Sequence, residues 1–581
     1  MSLRIDDVEG MQYPRGVAAS QKDYDFFNQQ YATSTHQEDH DMYPSLIVQP
    51  KGDADVIRTV KWAKEKGVAV AVKSGGHQYS GASSTGGENI QLDLTHTYKD
   101  MMAYTGFAEA TTQYVYIGVS NRMKDLNAYL TFNGLFVPHG QCAYVCVGGH
   151  AQTGGYGQLG RSFGLLGDHI RMIRMIDHEG AVQEFSQFDK PDLFWAILGG
   201  SPGNFGIITH YVIEVYKASE YMGAIKAQPG LKYKGPHGLK GLWVYTKETL
   251  TTLLKYLAQM SNDPEFPRNY DLCVNVLSVD FDIRSLFKEL QETKIWEEIQ
   301  EKIKKLLGGS QDGTGDNEFL DFLGGRTPAL IVVYAQWCPV NKDDVYDQKV
   351  DGWFKQFRDL SGLFTHWALK INEWDKDMAT MTGEWIFPKR REFDLPYVKR
   401  TYSTNQTNLS DKWIDTVVHR IDLIVNPKHF KEVNSAPGSK GDQHYERYIN
   451  CKIAAQIQSF GGKYSRFATN KDNGTSYSWR DSTIVQTLDC FHNPDEASKS
   501  HAEGWVLKND ELMNGPNGVF SPVDRRLLWG SWGDWNLSDE NVWKCYYEDE
   551  EKYKKIGEQR AKADPVGTFT PNPFAVKRVA A

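Results

Sequence analysis

Strands and helices follow one another in this chain without strict strand–helix–strand repetition, and that mixture predicts an α+β fold. Two further observations shape the prediction. A chain of 581 residues has room for several ordinary domains or two large ones. Its 52 glycines are unevenly placed, with ten of them between Gly134 and Gly167. Each interior glycine costs a helix about 1 kcal/mol against alanine, so this stretch reads as loop. Glycine there frees the backbone for positive φ, or for close approach to something flat or charged.

The elements follow in order. Residues 53–66 read as a capped helix leading through Gly67 into a buried strand at Val68–Val72. That strand breaks at Lys73-Ser74-Gly75-Gly76-His77-Gln78-Tyr79-Ser80-Gly81, where successive N–H groups either nest an anion such as a pyrophosphate or form a plain tight turn. Residues 89–94 alternate like a half-buried strand. Residues 170–177 form another, joined by the turn Asp177-His178-Glu179-Gly180 to a partner beginning at Ala181. Residues 286–307 carry apolar positions at helical spacing, closed by Gly308-Gly309, and read as a packing helix. Gly155-Tyr156-Gly157-Gln158-Leu159-Gly160 matches G-x-G-x-x-G, but no strand precedes it, so a dinucleotide fingerprint is rejected.

Composition excludes several classes. With 40% hydrophobic and 24% charged residues the chain is globular. Its net charge of −9, without clustered Lys and Arg, argues against nucleic-acid binding. No apolar run reaches the ~18 residues of a membrane span. The first residues lack the apolar stretch of a secretion signal, so a soluble, intracellular protein is expected, with the Asn-x-Ser/Thr triplets at Asn405, Asn408, Asn473 and Asn536 arising by chance. Seven cysteines with no CxxC spacing suit neither a disulfide framework nor a metal site. The aromatics (16 Trp, 30 Tyr, 27 Phe) suit a large core and equally a large apolar pocket.

Three segments together carry a resemblance: Ser74-Gly75-Gly76-His77, the run from Gly140 through Cys142, Val145 and Cys146 to Gly148-Gly149-His150, and Gly154-Gly155-Tyr156-Gly157. They resemble the flavin-binding half of berberine-bridge-enzyme-like oxidases of the vanillyl-alcohol-oxidase superfamily. Downstream, Asp192-Leu193-Phe194-Trp195-Ala196 and Gly203-Asn204-Phe205-Gly206-Ile207-Ile208 look like that family's adenine- and phosphate-side segment. Tyr546-Tyr547 through Asp564-Pro565 and Phe569 resembles its closing helix and Asp-Pro turn. The resemblance covers residues 40–215 and 440–575. It implies two lobes: an FAD-binding domain of the PCMH type, and a substrate domain whose antiparallel sheet is covered by helices. The implied division is residues 1–215, 216–504 and a returning segment 505–581.

The resemblance also implies FAD held covalently twice, by His77 at the 8α-methyl and by Cys142 at C6 of the ring. Imidazole and thiolate are the nucleophiles that such attachment needs. The remaining cofactor contacts it implies come from Ser74, Gly75, Gly76, Gln78, Ser80, Gly81, Val145, Gly148, Gly149, His150, Gly154, Gly155, Gly157, Gly203, Asn204, Gly206 and Ile208. Val145 matches a gatekeeper that, as valine, goes with access of O2. Cys146 stands where the family commonly has glycine, and reads as a buried inert thiol.

Catalytic positions depart from the pattern. Tyr79 and Tyr156 match pocket tyrosines. Gln458 stands where the family usually has Asp or Glu, and Trp532 where it often has a tyrosine base. Trp479, before Arg480, stands where many relatives have histidine. Glutamine and indole cannot accept a proton at neutral pH, whereas alcohol oxidation gains about 10²–10⁴ in rate from a base. Tyr156 is then the remaining candidate, provided that a cation such as Arg480 or Lys463 lowers its phenol. The expected function is oxidation or oxidative cyclisation of a bulky organic small molecule, with hydride passing to flavin N5 and O2 reoxidising the flavin to give H2O2. The alternatives are a carbohydrate oxidase and, from another class, a non-redox cyclase or binding protein.

Overall fold

The computed structural model describes residues 4–30, 40–78, 80–104, 111–278, 329–362, 368–386, 395–407, 409–426, 448 and 450–580. The helix expected at 286–307 lies outside them, as does Tyr79. Three sheets carry the chain. In the first, Met11–Pro14, Leu46–Gln49, Ile90–Asp93 and Val70–Lys73 lie side by side, the last three parallel. The helix Asp53–Lys66 makes the crossover between two of them, burying Val56, Val60 and Ala63. Gly67 ends it at φ +66°, its N–H returning to the carbonyls of Ala63 and Lys64. The second sheet is antiparallel, in the order Met101–Tyr104, Thr112–Gly118, Ile207–Lys217, Ile170–Ile176 and Val182–Ser186. The strands expected near 68–72, 89–94, 170–177 and 181 are all present.

The third sheet has eight antiparallel strands in the order Ala368–Asp375, His237–Val244, Leu330–Trp337, Tyr270–Leu277, Cys451–Ser459, Ile484–His492, Tyr397–Thr404 and Arg526–Ser531. Helices Lys247–Asn262, Gln348–Gly362, Asp411–Val425 and Glu496–Met513 supply Leu253, Phe354, Trp413 and Trp505 to the core against it. Period-two alternation decides which residues face them. Ile453 and Ile457 enter that core, while Lys452 and Gln456 look the other way, toward the first lobe. The α+β expectation holds. The lobe boundary differs: strand Arg526–Ser531 completes the substrate-side sheet and helix Glu496–Met513 packs on it, so the return begins beyond 531 and not at 505.

Two buried arginines join the lobes. Arg161 gives its guanidinium to the carbonyls of Gly461 (2.8 Å), Tyr270 (2.6 Å), Pro267 and Phe266. Arg480 pairs with Asp168, which also accepts from Asn470 and Asn473. The returning segment closes the first lobe through Asp564, whose carboxylate accepts the N–H groups of Gly567, Thr568 and Phe569. The carbonyl of Thr568 then receives the N–H of Val70 at the start of strand Val70–Lys73 (2.8 Å).

Candidate active site

Glycine loops of the first lobe and the open face of the eight-stranded sheet enclose a cavity of about 610 Å³. That lies within the ~300–1,000 Å³ range of small-molecule and cofactor sites. Its first wall is largely backbone. Ser74, Gly75, Gly76, His77 and Gln78 line it after strand Val70–Lys73 ends, together with Cys142 and Val145, then Gly148, Gly149 and His150, then Gly155, Gly203, Gly206 and Ile208. Of the remaining expected contacts, Ser80, Gly81, Gly154, Gly157 and Asn204 do not line it. Asn204 instead donates to the Phe569 carbonyl (2.7 Å), tying down the C-terminal return. A Cβ at Gly157 would strike the His139 carbonyl oxygen at 2.0 Å, and one at Gly154 the Tyr156 ring at 2.5 Å, so those glycines answer packing.

Side chains fix these loops to one another. The Gly140 N–H donates to His150 Nε2 (2.9 Å), so the Cys142 loop hangs from the helix Val147–Gln152. Burial and the neighbouring His139 push His150 down to about 3, which keeps that nitrogen a neutral acceptor. Gln152 on the same helix accepts the Gly203 N–H (2.8 Å) and joins the second glycine loop to the first. Gln78 donates to the Leu528 carbonyl (3.0 Å) and to Ser531 Oγ (3.2 Å), holding the His77 loop against the sheet. Cys142 is accessible, yet its sulfur faces a walled cavity, and desolvation raises the thiol despite the charge of Lys399. Cys146 is buried, its thiol pushed up to about 12, and its Sγ lies 3.0 Å from where a Cβ on Gly75 would stand.

The opposite wall uses alternate side chains from six strands. Val332 and Tyr334, Asn275 and Leu277, Lys452 and Gln456, Thr487, Asp489 and Phe491, Tyr397 and Lys399, and Trp529 all line the cavity. Lys399 and Asp489 are direct cross-strand partners, with Nζ 3.0 Å from Oδ2, and Lys399 also stands 5.0 Å from the centre of the Trp529 ring. Burial works against the Lys399 charge, but Asp489, together with Tyr397 and Cys142, offsets it and holds the ammonium above its ordinary value.

The expected catalytic residues divide. Tyr156 lines the cavity, set among Phe460, Phe467 and Trp529 with ring centres 5.5–6.3 Å away. Burial pushes its phenol far above 10, opposed only in part by Arg480. The cation expected to help does not free it: Arg480 is spent on Asp168, and Lys463 sits on the surface beside Glu265. Gln458 is 2% exposed and donates Nε2 to the Gly157 carbonyl (2.7 Å), bracing the Tyr156 loop instead of lining the cavity. Two residues earlier on that strand, Gln456 is the one that lines it. Trp532 packs in the helix-covered core, and the indole in the cavity is Trp529. Sequence reading missed Lys399, Asp489, Gln456, Trp529 and Gln152. Lys399 and Asp489 are charges in otherwise mixed strands 90 residues apart, and only strand register pairs them.

The cradle fits a flavin dinucleotide. A Cβ at Gly149 or Gly203 would meet no atom within 4 Å and would occupy open cavity, and Gly203 sits at φ +79°. A glycine-lined groove leading to a walled chamber with an accessible thiol and an imidazole defines a two-lobed protein with a cofactor-sized site between its lobes. Residues 44–186 match the family described as an FAD binding domain. Over 178 residues the chain is 33% identical to an uncharacterized FAD-linked oxidoreductase of Bacillus subtilis (strain 168), covering 31% of this chain and 38% of that protein. It is 33% identical over 185 residues to berberine bridge enzyme-like 23 of Arabidopsis thaliana, covering 30% and 33%. The matched stretch thus spans well under half of either relative, 38% of the first and 33% of the second. Among solved structures, Physcomitrella patens BBE-like 1 superposes with a TM-score of 0.65 at 15% identity, over 98% of both chains. Glucooligosaccharide oxidase from Acremonium strictum, described with 6-S-cysteinyl, 8α-N1-histidyl FAD, gives 0.62 at 16% identity over 99% and 98%. The N-terminal part of the chain is thus similar in sequence to berberine-bridge-enzyme-like, FAD-linked oxidoreductases, and along its length the chain shares the fold of these solved structures.

Proposed function

We propose that this protein is an FAD-linked oxidase of a bulky organic small molecule. One observation carries the reading: a single cavity runs from the His77 and Cys142 loops to a polar patch on the substrate-side sheet. FAD supplies acceptance of a hydride at N5 and delivery of the electrons to O2 as H2O2. His77 and Cys142 are the residues that would hold its ring, at the 8α-methyl and at C6. The printed linkage of the Acremonium strictum enzyme, one cysteinyl and one histidyl bond, supports that pairing. Ser74–Gly76, Gly148–Gly149 and Gly203 offer backbone to the dinucleotide, and Gln152 keeps two of those loops in register.

The sheet wall orients the substrate. Tyr334, Tyr397, Phe491, Leu277 and Val332 present apolar and aromatic surface, while Asn275, Gln456 and Thr487 offer hydrogen bonds. That balance favours a large, partly aromatic alcohol over an oligosaccharide, the second reading. Val145 lines the cavity, and its short side chain supports access of O2 where a longer one would reach further in. The test is hydrogen peroxide release, screened over aromatic alcohols, alkaloid-like compounds and oligosaccharides such as xylobiose. Peroxide with an aromatic alcohol is expected. Peroxide with sugars alone selects the carbohydrate reading, and a flavin that no compound bleaches under anaerobic conditions selects a non-redox binder.

A further inference from the structure

A proton acceptor is missing from the positions where the sequence led us to seek one. Tyr156 keeps its proton, Gln458 is turned onto the Gly157 carbonyl, and Trp532 is in the core. Among the described residues that line the cavity, the carboxylate is Asp489. Its strand, Ile484–His492, is buried along its length, and Phe491 touches both the cavity and the helix-covered core. Leu488 and Cys490 enter the helix-covered core, so Thr487 and Asp489 project into the cavity. On the neighbouring strand Lys399 stands directly opposite, its Nζ 3.0 Å from Asp489 Oδ2. Removing one charge of so buried a pair would leave the other desolvated and alone.

We propose that Asp489 is the catalytic base of this site and that Lys399 is its positioning residue. The inference rests on the FAD-linked oxidase reading. In the step, the substrate O–H breaks and its proton goes to the Asp489 carboxylate. The adjacent C–H breaks, and its hydrogen leaves with both electrons for the flavin, so that a C=O bond forms. The proton returns from Asp489 as O2 takes two electrons and two protons to become H2O2. Lys399 holds the carboxylate by one oxygen against the sheet, and its flank against Trp529 fixes the ammonium in turn. The pair also sits within electrostatic range of Cys142, which places it on the side of the chamber where the ring would be held. The other titratable groups on this cavity are Tyr334, Tyr397 and Lys452 from the sheet, and His77, Cys142, Cys146, His150 and Tyr156 from the opposite wall.

The experiment compares wild type with Asp489→Asn, Asp489→Glu, Lys399→Met and Lys399→Arg, each first checked for bound flavin and thermal melting. Flavin bleaching is followed anaerobically with cinnamyl alcohol and with xylobiose across pH. Independently of any substrate, the flavin midpoint potential is measured against pH. Asp489→Asn is expected to keep its flavin and melting behaviour, yet to bleach roughly 10²-fold or more slowly and to lose the acid limb of the rate profile. Asp489→Glu restores part of the rate. Lys399→Met moves the acid limb toward higher pH, whereas Lys399→Arg leaves it close to wild type. A carboxylate facing the ring also bends the potential-against-pH curve at acid pH, and Asp489→Asn straightens it. Wild-type bleaching retained in Asp489→Asn overturns the proposal. If neither alcohol bleaches the wild type, the oxidase reading fails for those two classes. The potential curve then decides: identical curves in wild type and Asp489→Asn overturn the placement of Asp489, and a straightened one sustains it.

Discussion

The first wall of the cavity is made of backbone, glycine and a few short side chains, whereas the wall facing it is made of alternate side chains from six strands far apart in sequence. On the glycine side, function depends on what is absent. Gly149 and Gly203 leave room, and His150 and Gln152 hold the loops that bring bare N–H groups together. On the sheet side, function depends on what projects. Register, and nothing local, sets Lys399 opposite Asp489 and turns Gln458 away to the Gly157 carbonyl. On the proposed reading, cofactor attachment and substrate chemistry are expected to be separable by mutation, even though one chamber would contain both.

Substitutions on the glycine wall break that comparison most sharply. Gly149→Val adds branches where a Cβ meets no atom within 4 Å. The fold is expected to hold, with unfolding free energy within about 0.5 kcal/mol of wild type, because no packed atom is displaced. Flavin loading, read as the ratio of visible to protein absorbance, should fall close to zero. Full loading would show that the dinucleotide does not cross this glycine.

A smaller effect concerns the scaffold of that wall. His150 stays neutral in the folded protein down to about pH 3, while in the unfolded chain it takes a proton near pH 6.5. Its folded pKa is lowered, so between those values the unfolded state binds more protons. Stability is intact above about pH 6.5 and drains away as pH falls toward 3. His169, lowered to about 4 chiefly by burial, acts in the same direction. His150→Gln keeps an acceptor for the Gly140 N–H but does not titrate. Its loss of stability between pH 7 and 5, measured by urea unfolding, should be shallower than that of wild type by about 2 kcal/mol. Parallel pH profiles would mean that His150 is protonated in the native state.

The smallest expected effect falls on the residue that the sequence favoured. Tyr156→Phe removes a hydroxyl that stays protonated at neutral pH, and leaves the ring among Phe460, Phe467 and Trp529. Flavin reduction should change by less than about fivefold, under ~1 kcal/mol of barrier. A hundredfold loss would return the base to the glycine wall and erase the proposed division between the two.

Legibility in the sequence follows the same division. The helix at 53–66, its Gly67 stop and the glycine loops after residues 72 and 140 are local features, written in consecutive residues. So were most of the residues that line the glycine wall of the cavity, from Ser74 to Ile208. Sheet contacts were not, because period two says which residues share a face but not which strands become neighbours. Gln458 lies on the correct face of its strand, yet Gly157 sits over it, and the cavity opens two residues earlier at Gln456. The return of the chain was misjudged for a related reason, since strand Arg526–Ser531 pairs with Tyr397–Thr404, about 125 residues upstream. Arg480 looked available as a cation because its partner Asp168 lies in the other lobe.

The central claim is that one flavin bridges the two loops of the glycine wall, and peptide mapping tests it most directly. Acid-precipitated protein is digested, and the peptides that carry flavin absorbance are identified by mass. The account predicts a single flavin joining the peptide that contains His77 to the peptide that contains Cys142, with each of His77→Ala and Cys142→Ala leaving one attachment. Release of all the FAD into the acid supernatant, with both peptides unmodified, would contradict it.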